Sequence, residues 1–321
     1  MGCTTLWGSP LSESVASDPP LRVWIVSDGK PGHVNQSLGL AEALARATPS
    51  EIRTLPALPS WRAWLAWWLK RPPGTALPSP DLIVGAGHAT HLTLLAARRA
   101  RGGRAVVLMK PSLPRRWFDL CILPRHDGIA ADARTLVTEG ALNRIRPAAT
   151  RDARQGLLLI GGVSPHFEWH SDAIQLQIKS MLARTPETHW TLTTSRRTPA
   201  EFLAELPPSP NLTVVPHTAT SPDWLPDRLA RSGTVWVTPD SASMVFEALS
   251  AGADVGVFDL PVKPKSRVGQ AIAQLADAQR ITRFVTWCAR GTLHPNLHPL
   301  AEADRCATWI LEWLKNENRT N

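Results

Sequence analysis

The chain has 321 residues, 43% of them hydrophobic, and a net charge of +8 at pH 7. A chain of this length is too long for a domain with one ordinary hydrophobic core, and it predicts two α/β domains with a cleft between them. The four cysteines lie far apart without paired metal-ligand spacing, and no apolar run reaches the roughly 20 residues of a spanning helix, which excludes a zinc site and a membrane span.

The first 20 residues are polar and rich in Ser and Pro, which is typical of a disordered tail, and they lack the basic start and apolar run of a secretion signal. Together with the dispersed cysteines, this predicts a cytoplasmic protein. The positive charge favours an anionic partner, such as a nucleotide, an acidic lipid surface or a nucleic acid. No nucleic-acid partner is expected, because no recognisable binding module is present.

Strand and helix patterns then alternate along the chain. Residues 22–27 predict an apolar strand, and the turn at 28–33 leads into a helix. Further apolar runs predict strands at residues 81–84, 105–109, 120–123, 157–160, 190–193, 212–215 and 234–237. Because helical patterns separate most of these strands, we expect an α/β fold with two Rossmann-like, doubly wound parallel sheets.

The polar segment 146–155 has the composition of a linker and places a domain boundary near residue 150. We therefore expect an N-terminal and a C-terminal domain on the two sides of the cleft. A C-terminal helix that returns to the N-terminal domain completes the organisation. The expected segments are a tail at 1–20, domains at 21–150 and 151–298, and the helix at 299–321.

Residues 61–71 combine four tryptophans with basic flanks. At helical spacing, Trp61, Trp64 and Trp68 share one face with Leu65. The segment suits an interfacial helix that binds the headgroups of an anionic lipid surface. The alternative is an amphipathic helix packed on the core of the first domain.

Polar and glycine-rich segments follow the predicted strands, where ligands of open α/β sheets bind. The candidates in the first half are Asp28, Gly29, Lys30, Gly32, His33, Gln36, His88, Lys110, His126 and Asp127. Those in the second half are Gly162, Ser164, Ser195, Arg196, Arg197, Asp240, Ser241 and Ser243. We expect these segments to converge on one cleft. The alternative, that they simply make turns between strands and helices, explains the glycines but not the charged residues.

The segment 237–258 reads as a strand, a polar turn, a helix and another strand. Asp240, Ser241 and Ser243 crowd the helix N-terminus, where free N–H groups and the helix dipole favour an anion, and Glu247 lies one turn farther on. A nucleotide diphosphate and its ribose would fit there. The alternative is that the polar residues only cap the helix and that Glu247 is solvated.

Several of these segments together resemble the mitochondrial fission Elm family, over most of residues 22–285. The first is Ser27-Asp28-Gly29-Lys30-Pro31-Gly32-His33-Val34-Asn35-Gln36, which continues to Leu44. The others follow in order at 118–119, 124–127, 139–142, 159–162, 195–199 and 238–244. The resemblance implies either the family's role in mitochondrial division or, as for its many bacterial members, a glycosyltransferase of the two-Rossmann-domain GT-B type.

The loop at Gly32-His33, the Gly161-Gly162 turn and residues 241–261 are also similar to the N-acetylglucosaminyltransferases that complete the lipid-linked peptidoglycan precursor. This second resemblance implies a membrane-bound acceptor, a donor ribose held by Glu247, and a stretch ending at Gln270 that closes over the donor. It leaves the sugar unassigned. Arg196 is similar to the phosphate-binding arginine of Kdo transferases, and Met244 belongs to the implied donor site.

Glycosyl transfer needs a base for the acceptor hydroxyl and positive groups for the leaving diphosphate. His33 is the candidate base, since imidazole titrates near neutral pH, with Asp28 or Asp127 to orient it or to act in its place. Arg196 and Arg197 are candidates for the diphosphate, or else form a solvated surface pair. No Asp-x-Asp pair follows a strand, so we expect neither a metal nor a cofactor beyond the nucleotide sugar substrate.

These observations predict a GT-B glycosyltransferase that acts on an envelope glycolipid or lipid-linked saccharide at the inner face of the cytoplasmic membrane. Two alternatives stay open. One is a peripheral membrane adaptor without enzymatic activity, and the other is a nucleotide-sugar epimerase, which shares the fold and the donor site.

Overall fold

A computed structural model describes residues 19–71, 77–148, 150–206 and 208–320 of the protein. Residues 1–18, which hold most of the predicted tail and Cys3, lie outside the described residues. The cysteines at 121, 288 and 306 are free thiols.

The first domain is built on a parallel six-stranded sheet in the order β2-β1-β3-β4-β5-β6. Its register places Ile25 opposite both Thr54 and Val84. The elements are β1 Leu21–Ser27, α1 Pro31–Ala47, β2 Ser50–Pro56, α2 Ser60–Leu69, β3 Leu82–Ala86, α3 His91–Arg101, β4 Arg104–Leu108, β5 Leu120–Pro124 and β6 Thr135–Thr138.

The second domain contains a parallel six-stranded sheet in the order β12-β11-β10-β7-β8-β9. The elements are β7 Asp152–Leu159, α4 Ser171–Arg184, β8 His189–Thr193, α5 Glu201–Ala204, β9 Leu212–Val215, α6 Trp224–Arg231, β10 Ser232–Val237, α7 Ala242–Ala251, β11 Asp254–Val257, α8 Arg267–Asp277, β12 Thr282–Arg283 and α9 Phe284–Arg290. The prediction of two doubly wound, Rossmann-like parallel sheets is confirmed. The expected linker at 146–155 is too long, because Asp152 already pairs with Ser232 as the first residue of β7.

Strand order reverses between β1 and β3 in the first sheet and between β7 and β10 in the second. Ligands of open α/β sheets bind outside the carboxyl ends of the strands at such reversals, where neighbouring connections leave in opposite directions. The turns that begin at Asp28, Gly87, Ile160 and Thr238 follow these four strands. The fold therefore brings two crevices together at the junction of the domains.

The first sheet is covered on both faces. Val23 and Ile25 of β1 pack with α1, whereas Trp24 and Val26 point to the α3 side, as the alternation of a strand requires. A last helix, α10 (Glu302–Thr320), returns from the second domain and packs along α1. Its residues Cys306, Ala307 and Ile310 are fully buried in the same cluster as Val23.

The tryptophan-rich helix α2 packs against α3 through small side chains, since Ala63 is its fully buried residue. Trp61, Trp64 and Trp68 are 64%, 58% and 64% exposed. They therefore lie outside the core of the first domain, contrary to the core alternative. Within the described ranges, no helix combines the length and apolar character needed to cross a membrane.

Candidate active site between the two domains

The first part of the site is the turn between β1 and α1. Gly29 takes a positive φ of 75°, and Pro31 begins the helix. The carboxylate of Asp28 accepts hydrogen bonds from the backbone N–H of Lys30 at 3.2 Å and from Nδ1 of His33 at 2.9 Å. The turn thus holds a buried carboxylate against the only histidine of α1.

The charge state of Asp28 sets the tautomer of His33. Burial raises the pKa of Asp28, but the hydrogen bonds from His33 and Lys30 outweigh it, so the pKa lies below the ordinary value of 3.8. An ionised carboxylate only accepts hydrogen bonds, so Nδ1 carries the proton and Nε2 keeps its lone pair in the neutral ring. Among the described residues, Nε2 has no hydrogen-bond partner. This arrangement can accept a proton at Nε2.

Gly87, at the end of β3, provides the room for this ring. Its φ is +83°, which side-chain-bearing residues rarely adopt, and a Cβ there would overlap the imidazole of His33. The turn after β3 therefore packs closely against the ring that Asp28 holds.

The second part of the site is the N-terminus of α7. Ser241 precedes the helix without a side-chain capping bond, and its Oγ lies 3.3 Å from Oγ of Ser243. Ser241 is buried, whereas Ser243 is exposed. The first-turn N–H groups of α7 are thus not satisfied by a serine cap, and an anion would be favoured there.

Asp240 points into its own domain instead of the cleft. Its Oδ2 accepts from the N–H of Gly162 at 2.9 Å and pairs with Arg197 at 2.8 Å, and its side chain is 1% exposed. Burial raises the pKa of Asp240 against the opposing effect of Thr238, Gly162 and Arg197. Asp240 and Arg197 therefore tie the turn after β7 to the turn after β10.

Glu247 joins the two domains. Its Oε1 accepts a hydrogen bond from Nδ2 of Asn35, on α1, at 2.8 Å. Burial raises the pKa of Glu247 from 4.5 to about 7, although the hydrogen bond from Asn35 lowers it. The interpretation of Glu247 as a solvated carboxylate is wrong, because this side chain is only partly accessible and lies against the other domain.

A cavity of about 450 Å³ opens beside this contact. It is lined from the first domain by Gly32, Asn35 and Gln36 and from the second by Ser243, Met244 and Glu247, among others. Five of these six residues are among those predicted from the sequence, and Asn35 is the exception. His33 is not in the wall of this cavity, because it lies on the neighbouring side of the first turn of α1, against Gly87.

Several predicted donor residues shape the loops. Oγ of Ser164 accepts from the N–H of His166 at 3.1 Å, and Oγ of Ser195 donates to the carbonyl of Gly161 at 2.7 Å. A Cβ on Gly162 would overlap the carbonyl of Arg197, so this glycine allows two turns to approach closely. These contacts are internal to the second domain.

Other predicted residues are open to solvent. Arg196 is exposed and, among the described residues, has no hydrogen-bond or ion-pair partner, in contrast to Arg197. Lys30 is exposed, with Nζ 3.9 Å from Asp28. Three more predicted residues are exposed and, in the described part of the chain, make no side-chain hydrogen bond or ion pair: His88, Lys110 and Gln270.

His126 and Asp127 follow β5 in a single-turn helix that faces α8 of the second domain. The ring of His126 stacks on Phe246 with 6.4 Å between centroids, its Nδ1 is buried without a partner, and burial lowers its pKa. Asp127 does not contact His33, whose carboxylate partner is Asp28. The structure thus favours Asp28 over Asp127 as the residue that orients His33.

The sequence analysis did not identify three residues that join the domains: Asn35, Phe246 and Asn143, whose Nδ2 donates to Oγ of Ser250 at 3.1 Å. Asn35 lies inside the quoted motif around His33, and Phe246 is next to Glu247. Position in these motifs was the available signal for both.

The described residues contain no group of three His, Cys, Asp or Glu side chains that could hold a metal ion.

Comparison with known proteins identifies relatives of this chain. The sequence model for mitochondrial fission ELM1 matches residues 31–314. An uncharacterised protein, RP120, from Rickettsia prowazekii (strain Madrid E) is 24% identical over 353 residues, which cover 92% of this chain and 99% of the relative.

Three solved structures resemble the whole fold. MurG from Acinetobacter baumannii has a TM-score of 0.50 at 15% identity and covers 91% of this chain and 100% of its own. The calicheamicin glycosyltransferase CalG4 has a TM-score of 0.51 at 14% identity, with coverage of 93% and 99%. A Listeria monocytogenes protein assigned as a UDP-N-acetylglucosamine 2-epimerase has a TM-score of 0.64 at 10% identity, with coverage of 94% and 98%. The GT-B fold is confirmed by these similarities.

Proposed function

This chain belongs to the mitochondrial fission ELM1 family, and we propose that it is a glycosyltransferase that moves a sugar from a nucleotide sugar to a glycolipid or lipid-linked saccharide. The observation that carries the proposal is the arrangement of α7. A carboxylate, Glu247, faces the cleft one turn beyond a helix N-terminus that lacks a side-chain cap. An anionic diphosphate fits the helix N-terminus, and the carboxylate can accept hydrogen bonds from ribose hydroxyls.

The leaving diphosphate is stabilised by the amides at the start of α7 and by Arg196. Arg196 is the arginine of the pair that can reach a ligand, because Arg197 is held by Asp240. These fixed positive groups act where negative charge develops as the glycosidic bond breaks. In this proposal no metal ion or cofactor takes part in the reaction.

The acceptor hydroxyl is deprotonated by His33. Asp28 holds Nδ1–H at 2.9 Å, which leaves Nε2 as the accepting atom and stabilises the imidazolium that forms. Approach of the acceptor to His33 brings it to the first domain, whereas the donor is held by the second. Transfer therefore requires the two domains to be close together, as they are in the contact of Asn35 with Glu247.

The acceptor is proposed to be membrane-borne, and the protein to act as a peripheral protein at the inner face of the cytoplasmic membrane. The support is the exposure of Trp61, Trp64 and Trp68 beside the basic residues Arg62 and Lys70. Tryptophan and basic residues together suit the headgroup region of an anionic bilayer.

The decisive experiment is calorimetric titration with nucleotides and nucleotide sugars, followed by a transfer assay. We expect a nucleotide diphosphate sugar to bind the native chain and Glu247→Gln to weaken that binding by roughly 1 to 3 kcal/mol, since a charge-assisted hydrogen bond is lost. Glu187→Gln, at an exposed carboxylate of the same domain, is the matched control and should bind normally. Failure of every nucleotide and nucleotide sugar to bind would refute the transferase and favour a membrane adaptor.

A nucleotide-sugar epimerase is the second candidate, and the TM-score of 0.64 with the Listeria protein favours it. The two activities differ in their need for an acceptor. An epimerase inverts a carbon of the sugar in the nucleotide sugar alone, whereas a transferase releases the nucleotide diphosphate in an acceptor-dependent reaction. Incubation with the bound nucleotide sugar, with and without lipid extract, followed by NMR of the sugar, distinguishes them.

A further inference from the structure

The positive charge of the protein is concentrated in one part of the first domain. Residues 52–118 contain eleven Lys and Arg residues and one acidic residue, Asp81, so this segment alone carries +10, more than the +8 of the whole chain. The segment includes α2, α3 and the single-turn helix Arg115–Trp117. Such a one-signed surface attracts anions over a range of about one Debye length.

These three helices enclose a groove of about 590 Å³, outside the interdomain cleft. Its apolar walls are formed by Trp64 and Trp67 from α2, Leu95 from α3 and Trp117. Trp64 and Trp117 are 58% and 45% exposed, so about half of each side chain is open to solvent. The volume is in the range of small-molecule sites, and the walls suit an apolar chain.

Three guanidinium groups line the same groove. Arg99 stacks over the ring of Trp67 at 4.3 Å, and Arg116 is exposed; within the described residues neither has a carboxylate partner. Arg98 is fixed by the carbonyl of Trp117 at 2.8 Å and by Asp119 at 3.3 Å. Stacking on Trp67 leaves the N–H edges of Arg99 free to bind phosphate oxygens.

We propose that this Trp–Arg groove binds one phosphate-bearing membrane lipid, with the phosphate between Arg99 and Arg116 and the start of an apolar chain against Trp64 and Trp117. Charge complementarity and the apolar walls together select this ligand. A soluble phosphate would leave the walls in water, and the exposed tryptophans of α2 continue the apolar surface from the groove toward a bilayer. The site goes beyond the proposed transferase, because it can hold a lipid whether or not the cleft transfers a sugar.

The test uses the whole chain and short-chain phosphatidylglycerol below its micelle concentration. Calorimetry should show saturable binding of one lipid per chain, whereas glycerol phosphate, the soluble headgroup, should not bind. The double variant Arg99→Gln/Arg116→Gln should bind the lipid about thirty-fold more weakly, because each basic residue near a membrane surface contributes about 1 kcal/mol. Arg53→Gln/Arg231→Gln removes the same charge at two exposed positions outside the groove and should bind normally.

A second variant, Leu95→Trp, fills the groove while it keeps the net charge and every tryptophan. It should lose binding of the short-chain lipid, with circular dichroism and thermal unfolding as the check on the fold. Native binding by a folded Leu95→Trp chain would overturn the proposal, as would equal losses in the two double variants. Binding of glycerol phosphate alone would instead indicate a soluble-anion site, and displacement of the lipid by single-stranded RNA would indicate a nucleic-acid surface.

The same variants separate this proposal from the transferase. Titration with the nucleotide sugar should give the native affinity in Arg99→Gln/Arg116→Gln and in Leu95→Trp, because neither change reaches the cleft. A chain that binds lipid but no nucleotide sugar would leave the groove standing and refute the transferase. A chain that binds nucleotide sugar but no lipid would refute the lipid site in the groove and leave the transferase proposal in place.

Discussion

Replacing Glu247 with glutamine should stabilise the fold at alkaline pH while it weakens donor binding. Burial raises the pKa of Glu247 to about 7, against 4.5 for an unperturbed side chain. Between these pH values the folded state keeps a proton that the unfolded state releases, so the stability of the native chain falls as pH rises from about 4.5 to about 7. Below this window the carboxyl is protonated in both states and the group has no effect on stability. Above it the carboxylate is ionised in both states, and the loss of unfolding free energy from its burial is complete.

The magnitude follows from the size of this shift. One pKa unit corresponds to about 1.4 kcal/mol, so the native chain should lose roughly 2.5 kcal/mol of unfolding free energy between pH 5 and pH 8 through this one group. Glutamine has the shape of the protonated carboxyl and can still accept from Asn35, yet it does not titrate. The difference in unfolding free energy between Glu247→Gln and the native chain should therefore grow by roughly 2.5 kcal/mol in favour of the variant.

Urea unfolding at several pH values, followed by tryptophan fluorescence, measures this difference. All other titrating groups cancel when the two chains are compared at each pH. Glu187→Gln serves as the control, since it removes an equal charge at an exposed site and should show no such trend. A difference for Glu247→Gln that stays constant from pH 5 to pH 8 would refute the argument, because the carboxylate would then be solvated and the domains apart. Donor affinity should move the opposite way, rising in the native chain as Glu247 ionises.

Three further changes test the rest of the site and the helix α2. His33→Ala should lower turnover by about two to four orders of magnitude with unchanged donor affinity in calorimetry, because a general base acts in the transition state; near-normal turnover would transfer the role to Asp28. Gly87→Ala should destabilise the fold by about 1 to 2 kcal/mol, because residue 87 has a positive φ. The added Cβ should also displace the ring of His33 and reduce turnover. Native turnover in a folded variant would contradict this expectation. Serine at the three most exposed tryptophans of α2, Trp61, Trp64 and Trp68, should abolish binding to vesicles of phosphatidylcholine and phosphatidylglycerol with little change in melting temperature. Unfolding of this variant would mean that the three side chains are buried in solution.

The sequence was sufficient for the central strands and for the edge strand β9, but not for the other three edge strands. Central strands such as β3 and β5 are buried on both faces and read as continuous apolar runs. The edge strand β2 is mostly polar, with only Ile52 and Leu55 as large apolar residues, and β6 and β12 are short, so none of the three was predicted. The polar start of β7 was assigned to the linker for the same reason.

Within the site, the sequence indicated which residues carry chemistry but not how they pair. Asn35 and Glu247 are 212 positions apart, and no local pattern predicts that α1 and α7 meet there. Similarly, Arg196 and Arg197 are equivalent in the sequence, and only the proximity of the Asp240 turn separates a structural arginine from an accessible one. In α2, periodicity identified the tryptophan face, but the helix packs through Ala63 on another side.

The return of α10 to the first domain has a consequence for synthesis of the protein. Leu40 and Leu44 of α1 are buried in the same cluster as Cys306 and Ile310. The first domain is therefore synthesised before the second but completed after it, because the apolar face of α1 stays uncovered until residues near 310 are translated. Translation of the entire second domain falls within this interval, so the face of α1 that α10 covers stays exposed for that time.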